Sequence, residues 1–463
     1  MPILRRKYKS NKEIGWFPGK GTFDHGVHPP QCKTFSGDAA IEIVPAPDKV
    51  VLPLLQHIGG PCTPVVKPKQ EVVVGDLVGK GEAFVSASLH SPVNGMVQKM
   101  QVTTLANGRH VQAIAIMRKG EQLSGQDLWD QLYGGKWPQK SYQSMEPEKI
   151  SEAIYDAGIV GLGGAAFPTH VKITPDENKP IETLIVNGCE CEPYLTTDYR
   201  LMVEAPEAIV AGTMLAVRAV GAKKAYIGVE DNKLEAIASL RRAAAGAGIN
   251  IAVLKTKYPQ GSEKHLIKAV LNQDVPLGGL PSDVGVAMSN VATVTSVARA
   301  VMRRIPLTHR VVSVTGGGIV RPKNLLVPIG IAMGELIDFC GGLSKTAARM
   351  VAGGPMMGFA FTNRNTPVTK GTSGITVLTH AEIRRVDQTV CIRCGRCADV
   401  CPMNLVPTKL AMASRLKTLN LARSYNIMAC FECGSCAHVC PAGLPLVQLI
   451  RTGKALVAAE AAA

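Results

Sequence analysis

CIRCGRCADVCP (residues 391–402) and CFECGSCAHVCP (residues 430–441) write one pattern twice: four cysteines followed directly by a proline. In each, three cysteines stand at two-residue gaps and a fourth follows after three more residues. One short loop with that spacing wraps three corners of an iron–sulfur cubane. The fourth thiolate lies beyond its reach and serves the other cubane. Cys391, Cys394, Cys397 and Cys440 are therefore expected to hold one [4Fe–4S] cluster, and Cys430, Cys433, Cys436 and Cys401 the second. Cys-x2-Cys pairs also bind structural zinc, and secreted chains use cysteines for disulfides; a doubled run that ends each time in Cys-Pro fits neither well. Cubanes move one electron at a time, so the pattern predicts an electron-transfer protein.

The chain's 463 residues suggest about three domains. A composition 46% hydrophobic and 19% charged is that of a globular protein. The net charge of +15 suits nucleic acid, an anionic membrane face, or acidic protein and nucleotide partners. No basic stretch is interleaved with aromatics, which speaks against nucleic acid. Arg5, Arg6, Lys7, Lys9 and Lys12 form a small basic arm, read as a solvated terminus or a contact with anionic headgroups or a partner. No apolar stretch reaches the roughly 20 residues of a membrane span, and the basic start lacks the apolar core of a signal peptide. Thiolate ligands point to the reducing, cytoplasmic side. Any membrane association is expected to be peripheral and made through partners.

The text before the cysteine runs changes character several times. Residues 1–40 read as irregular and contain GVHPPQCK (residues 26–33). Residues 41–118 hold short β-type runs split by Gly and Pro, such as IEIV at 41–44 and SPVNGMVQKM at 91–100, which suggest a small sandwich or barrel. They are similar to the half-barrels of lipoyl and biotinyl carrier domains, but the matching turn, Pro92 to Gly95, has no lysine, so no prosthetic group is expected on it. Residues 119–150 read as a linker. Residues 151–305 alternate helix and strand, the mark of a mainly parallel sheet. Short strands return at 306–370 around Gly316, Gly317 and Gly318. The two-cluster domain runs from 380 to 450 and a flexible tail from 451 to 463.

Two motifs in the α/β region suit a nucleotide. GLGGAAFPTHVK (residues 161–172) has four small residues in a row, whose amides can approach a phosphate, and Pro168 can begin a helix. Alone it is weak evidence, since an ordinary tight turn looks similar. NGCECEPYLTTDYRLM (residues 187–202) follows a strand, where α/β folds place ligands, and its Asn187, Glu190 and Glu192 can bond sugar hydroxyls. Cys189 and Cys191 alternate with those acids; metal binding there is a minor alternative. Cys32, Cys62 and Cys340 lack ligand spacing and read as ordinary thiols, and His25 and His28 as local hydrogen-bonding groups.

These two motifs together resemble the NADH- and FMN-binding flavoprotein subunit of respiratory complex I. With the NGCECEPYLTTDYRLM run, the paired cysteine runs and the HPP segment, nearly the whole chain resembles the C subunits of the Rnf (Rsx) electron-transport complexes. The resemblance implies an N-terminal barrel-sandwich domain, a central α/β FMN/NADH domain, a β-grasp-like domain read first of all as packing, and a C-terminal α-helical ferredoxin domain. It implies that Gly161, Gly163, Gly164 and Lys172 contact the flavin or its phosphate, that Phe167 stacks with the nicotinamide nucleotide, that Asn187 and Glu190 approach the flavin, and that Glu192 approaches NADH. In KYPQGSEK (residues 257–264) it points to Tyr258, Gly261 and Glu263, with Ser262 where the family has an acid. In SNVAT (residues 289–293) it points to Asn290 and Thr293 for the phosphate. Cys189 stands at another acidic family position.

The implied path runs from NADH to FMN, through two [4Fe–4S] clusters, to partner subunits that couple it to ion pumping. Hydride transfer to flavin is direct and needs no catalytic acid or base. Three readings compete: a cobalamin reductase of the propanediol-utilisation type, whose chains begin near the glycine loop; a soluble dehydrogenase or hydrogenase diaphorase subunit; and a two-cluster relay without nucleotide binding.

Overall fold

Apolar strands separated by amphipathic helices are best buried as a parallel sheet covered on both faces. The computed structural model, which describes residues 17–137, 145–174, 178–384 and 386–462, has that arrangement at its centre. Its four parallel strands lie in the order Ile249–Leu254, Lys224–Glu230, Thr183–Asn187, Val286–Asn290. Leu184, Ile185 and Val186 are buried, as a strand with helices on both sides requires. Helices Pro206–Val220 and Val291–Arg303 cross so closely that a Cβ on Gly212 would lie 1.7 Å from the Val294 carbonyl oxygen. The carboxyl ends of the strands (Asn187, Glu230, Leu254 and Asn290) open on one side, where such sheets bind ligands.

The segment expected to be irregular is a strap over this edge. Gly19 and Gly21 donate to the Val270 and Ala269 carbonyls at 2.7 and 3.0 Å, and Val27 bridges Tyr258. A Cβ on Gly19 would sit 2.0 Å from the Ala269 oxygen, so only glycine lets the strap lie this close. The basic arm at residues 5–12 lies outside the described residues.

The barrel unit contains a five-stranded sheet and a three-stranded one, running from Lys49–Pro53 to His110–Arg118. One expected boundary is corrected. Ile41–Ile43 leaves the barrel and pairs in parallel with Lys323–Pro328, becoming the edge of the six-stranded sheet of the domain around 309–379. A three-residue apolar run fits either sheet, and its sequence cannot say which. The expected linker is also corrected: helix Gly125–Leu132 buries Leu128 and Leu132, and the Arg303 guanidinium lies 3.6 Å from the centroid of the Trp137 ring. Residues 138–144 lie outside the described residues. The expected flexible tail is part of helix Leu446–Ala462, which buries Ile450 and Val457 against the cluster domain. Alanine is the best helix former, so the Ala-rich text continues the helix. Gly453 lets that helix touch Ser414, whose Oγ a Cβ would meet at 2.0 Å.

Buried charges fasten the domains to one another. Lys370 donates from Nζ to the Ser88 and Gly158 carbonyls, both at 2.6 Å, joining three domains; burial pulls its ammonium down to about 8. Glu192 accepts from the Met356 N–H at 2.6 Å and the Met357 N–H at 3.3 Å, fixing the α/β domain to a loop of the domain around 309–379. Burial lifts the Glu192 carboxyl to about 7, against the two N–H donors that favour its anion.

Two tests follow from this packing. Gly212→Ala should cost about 1–3 kcal/mol through overpacking, seen as a lower denaturation midpoint; an unchanged midpoint would show that the two helices are not in tight contact. The folded chain holds the Glu192 proton more tightly than the unfolded chain does. Its contribution to stability is therefore complete below the ordinary value of 4.5 and is lost as pH rises through about 7. Over that window the loss is about 3 kcal/mol. Glu192→Gln should flatten this part of the stability–pH curve in denaturant titrations, and a curve of unchanged slope would count against the carboxyl.

Candidate flavin and cluster site

The glycine loop is closed by its own ends. Val160 bridges Pro168, and the Gly161 N–H donates to the Phe167 carbonyl at 2.8 Å. Gly164 has φ +112°, and a Cβ there would meet nothing within 4 Å, so this side of the loop faces open space where a flat ring system fits. The other side is tied down: the Leu162 N–H donates to Thr293 Oγ1 at 2.9 Å, and Gly163 lies against Asn290, whose atoms a Cβ would meet at 3.4 Å. Gly161, Gly163, Gly164, Asn290 and Thr293 thus converge on the start of helix Val291–Arg303, where unpaired N–H groups and the helix dipole favour an anion. Asn290 caps that helix through the Ala292 N–H at 2.9 Å and donates to the Asp198 carboxyl at 2.7 Å. Burial, reinforced by Glu190, raises the Asp198 carboxyl to about 7. Arg310, from the neighbouring domain, donates to the loop carbonyl of Leu162 at 3.3 Å and to the Lys370 carbonyl. Lys172 and Glu263 meet each other in a partly exposed ion pair beside the loop, and Phe167 is half-buried.

The Glu190 carboxylate accepts from Thr197 Oγ1 and the Asp198 N–H, both at 3.0 Å, and from the Tyr199 N–H at 3.3 Å. It caps helix Thr197–Glu204. Glu192 is turned toward Met356 and Met357. Both acids are thus engaged by protein groups. Asn187 donates to the Gly261 carbonyl at 2.8 Å and accepts from the Cys189 N–H at 2.9 Å. Gly261 packs so that a Cβ would lie 2.4 Å from the Cys189 oxygen.

The buried ammonium of Lys33 holds the motif from beneath, donating to the carbonyls of Glu190 and Glu192 at 2.8 Å and of Leu195 at 2.5 Å. Burial lowers the Lys33 amine and pushes the Cys191 thiol up to about 12. The strap leaves a cavity of about 40 Å³ here, bordered by His28, Lys33, Glu190, Cys191 and Tyr258, and beside it a larger one of about 580 Å³ bordered by Thr22, Phe23, His28, Asp231, Lys255, Thr256 and Lys257. Sequence reading missed Lys33, Asp198 and Arg310. Asp198 lies inside the quoted motif, and Lys33 ends the quoted HPP segment; nothing in the text marks Arg310.

The two cysteine runs adopt one conformation twice. Arg393 and Glu432 have φ 56° and 64°, and their N–H groups donate to Cys391 and Cys430 sulfurs at 3.4 Å. Gly395 and Gly434 follow at φ 78° and 84°, then the short helices Arg396–Asp399 and Ser435–Val439. Amides aimed at sulfur favour thiolate, and all eight cysteines are free thiols. Burial raises the thiols of Cys430, Cys433 and Cys436, and each is raised further by the charge of Cys401. Cys401 and Cys436 lie in one apolar core. Cys440 and Cys397 lie in the same apolar core. Thiols that protein alone keeps protonated are ionised by bound iron, so the donor set fits two cubanes.

Comparison with known proteins matches this division. The family model described as the Nuo51 FMN-binding domain covers residues 154–299, the RnfC barrel sandwich hybrid domain 21–121, the SLBB domain 311–360, and the 4Fe-4S dicluster domain 390–444. FMN and two [4Fe–4S] clusters are accordingly the cofactors of this chain. The C subunit of the proton-translocating ferredoxin:NAD(+) oxidoreductase complex of Clostridium ljungdahlii is 42% identical over 88% of this chain and 88% of its own. The C subunit of the Na(+)-translocating ferredoxin:NAD(+) oxidoreductase complex of Acetobacterium woodii is 40% identical over 95% of this chain and 98% of its own. That of the ion-translocating oxidoreductase complex of Rhodobacter capsulatus is 42% identical over 93% and 82%. Among solved structures, an NAD+-reducing [NiFe]-hydrogenase chain aligns at a TM-score of 0.48 with 22% identity, over 70% of this chain and 64% of that one. The chain belongs to the family of C subunits of the ion-translocating oxidoreductase complexes.

Proposed function

We propose that this chain is the NADH-oxidising subunit of an Rnf-type ferredoxin:NAD+ oxidoreductase. Electrons pass from NADH to FMN, through the two clusters, and on to the partner subunits, in an assembly that couples the flow to ion translocation. The chain is placed peripherally at the cytoplasmic face of the membrane. Among the described residues no helix is long and apolar enough to cross a membrane. FMN, when bound, supplies the exchange between a two-electron hydride and single electrons.

The chain's own residues bind and orient. Gly161, Gly163 and Gly164 give the flavin a flat bed, Asn290 and Thr293 fix that bed to a helix start that receives the phosphate, and Lys172 adds positive charge at the rim. Phe167 stacks with the nicotinamide. Asn187, Tyr258, Gly261 and Glu263 form the wall beside this bed. Glu190 and Glu192 act through the backbone they hold and set the position of that wall. No side chain needs to move a proton for hydride transfer.

The observation that carries this reading is the seating of the second cysteine run on the flavin domain. The Tyr258 hydroxyl donates to the Cys433 carbonyl at 2.6 Å, and His265 Nε2 lies 2.9 Å from the Pro402 carbonyl oxygen. A cluster held there adjoins the flavin wall, as a relay of single electrons requires.

Reconstituted protein should contain one FMN and about eight irons per chain. Gly164→Val forces a β-branched residue into a left-handed conformation, and Thr293→Val leaves the Leu162 N–H without its acceptor at a cost of about 1–3 kcal/mol. Both should lower FMN content while leaving the cluster absorbance intact; normal flavin occupancy in both would sink the loop assignment. Cys401→Ala should damage the EPR signal of the cluster held by Cys430, Cys433 and Cys436. Damage confined to the other cluster would overturn the crossed ligation.

A further inference from the structure

Gln260 is fully buried, yet both ends of its side-chain amide, Nε2 and Oε1, are without a protein partner. Among the described residues no other buried side-chain amide leaves its donor and its acceptor both unpaired. The backbone around it is fixed. The Gln260 N–H donates to the Lys257 carbonyl at 2.9 Å, and the Gly261 carbonyl accepts from Asn187 at 2.8 Å. A buried amide donor left unmet costs about 1–3 kcal/mol. That cost disappears when the amide meets a group that the protein itself does not supply.

The segment that carries Gln260 lies on the second cysteine run. The Tyr258 hydroxyl donates to the Cys433 carbonyl at 2.6 Å, and His265 Nε2 lies 2.9 Å from the carbonyl oxygen of Pro402, the neighbour of Cys401. The Phe431 ring is 5.7 Å from that of His265, and a Cβ on Gly434 would meet the Met356 oxygen at 2.7 Å. Residues 430–433 are accordingly half-buried and 434–436 buried, whereas every residue from 387 to 396 in and before the first run is exposed. Each run aims one backbone N–H at the sulfur of its first cysteine, at 3.4 Å in both. The repeat thus gives both clusters the same backbone donor, and the second run alone is covered by a segment with an unpaired side-chain amide.

A cubane that accepts an electron gains negative charge. Burial opposes that gain, and N–H donors to the sulfurs favour it and raise the potential. We propose that Gln260 donates from Nε2 to a sulfur of the cluster held by Cys430, Cys433 and Cys436, and so sets that cluster's potential as the acceptor of electrons from the flavin. The cluster offers only acceptors, so Oε1 takes its donor from the flavin side or from a buried water. The step served is the passage of one electron to the cluster. No bond to Gln260 forms or breaks, and its amide keeps both protons. The inference deepens the electron path proposed above and rests on it.

The test uses the full chain with FMN and both clusters, titrated with redox mediators and without NADH under EPR. The second-run signal is the one altered in Cys436→Ala. Gln260→Met keeps an unbranched side chain and removes its N–H groups. At a fixed potential it should lower the reduced-to-oxidised ratio of the second-run cluster about tenfold, a downward shift of about 59 mV for a one-electron couple, with the first-run cluster unmoved. Gln260→Glu, of the same shape with an added negative charge, should lower the ratio at least as far. In a chain labelled with nitrogen-15 at glutamine side chains alone, pulsed EPR should show that nitrogen coupled to the second-run cluster, and the coupling should vanish in Gln260→Met.

An unmoved second-run midpoint in Gln260→Met, with its EPR signal intact, would overturn the proposal. So would the absence of nitrogen-15 coupling in the unsubstituted chain, a result that depends on the folding of neither variant. A shift confined to the flavin midpoint would assign the amide to the flavin and overturn it likewise. Absence of NADH-driven ferricyanide reduction in the unsubstituted chain would instead defeat the NADH reading alone, since the potentials are measured without NADH.

Discussion

The ammonium of Lys33 organises the centre of this molecule. The residue is half-buried, and a charge drawn out of water persists only where dipoles replace it. Here the replacement is three backbone carbonyls from one short loop, those of Glu190, Glu192 and Leu195. With those carbonyls turned inward to the cation, the intervening side chains are set in different directions. Glu190 reaches the start of helix Thr197–Glu204, and Glu192 reaches the loop that lies over the second cysteine run. The strap that carries Lys33 is in turn fixed to helix Glu263–Leu271 and to Tyr258 by Gly19 and Gly26, which approach the backbone there. The flavin wall and the cluster seat thus depend on one cation supplied from a distant part of the chain.

Much of this organisation was legible in the text because some chemistry leaves a strict spacing. Cubane ligation fixes cysteine intervals, and those intervals are written twice in this chain. A parallel sheet leaves wholly apolar strands alternating with helices, and a flavin bed leaves consecutive small residues. Other features leave no such trace. Glu190 and Glu192 accept from backbone N–H groups, and a carboxylate reads the same in sequence whether it accepts from a hydroxyl or from a backbone N–H. Ile41–Ile43 joins a sheet whose other strands lie some 280 residues away, and no local pattern encodes that partner. The C-terminal alanines resembled a frayed end, yet a single glycine, Gly453, lets their helix dock.

The same limit applies to the two cysteine runs. They are near copies in sequence and in backbone conformation, but one is covered and the other open. What differs is the neighbour: Tyr258, Met356 and His265 on one side, water on the other. A repeat in sequence therefore carries two distinct electrostatic settings, and each is set by residues outside the repeat.

Lys370 has a consequence for the whole chain. The barrel, flavin and SLBB domains each match a separate family, which suggests parts joined by descent. Yet the Lys370 amine, ten residues beyond the SLBB match, is solvated by carbonyls of the other two, Ser88 and Gly158. Pulling any one away would strand either a buried cation or a buried carbonyl, a penalty that falls on the parts left behind as much as on the part removed. Modularity of inheritance has thus become cooperativity of folding. Regions that match separate families are thus tied to one another through a single amine.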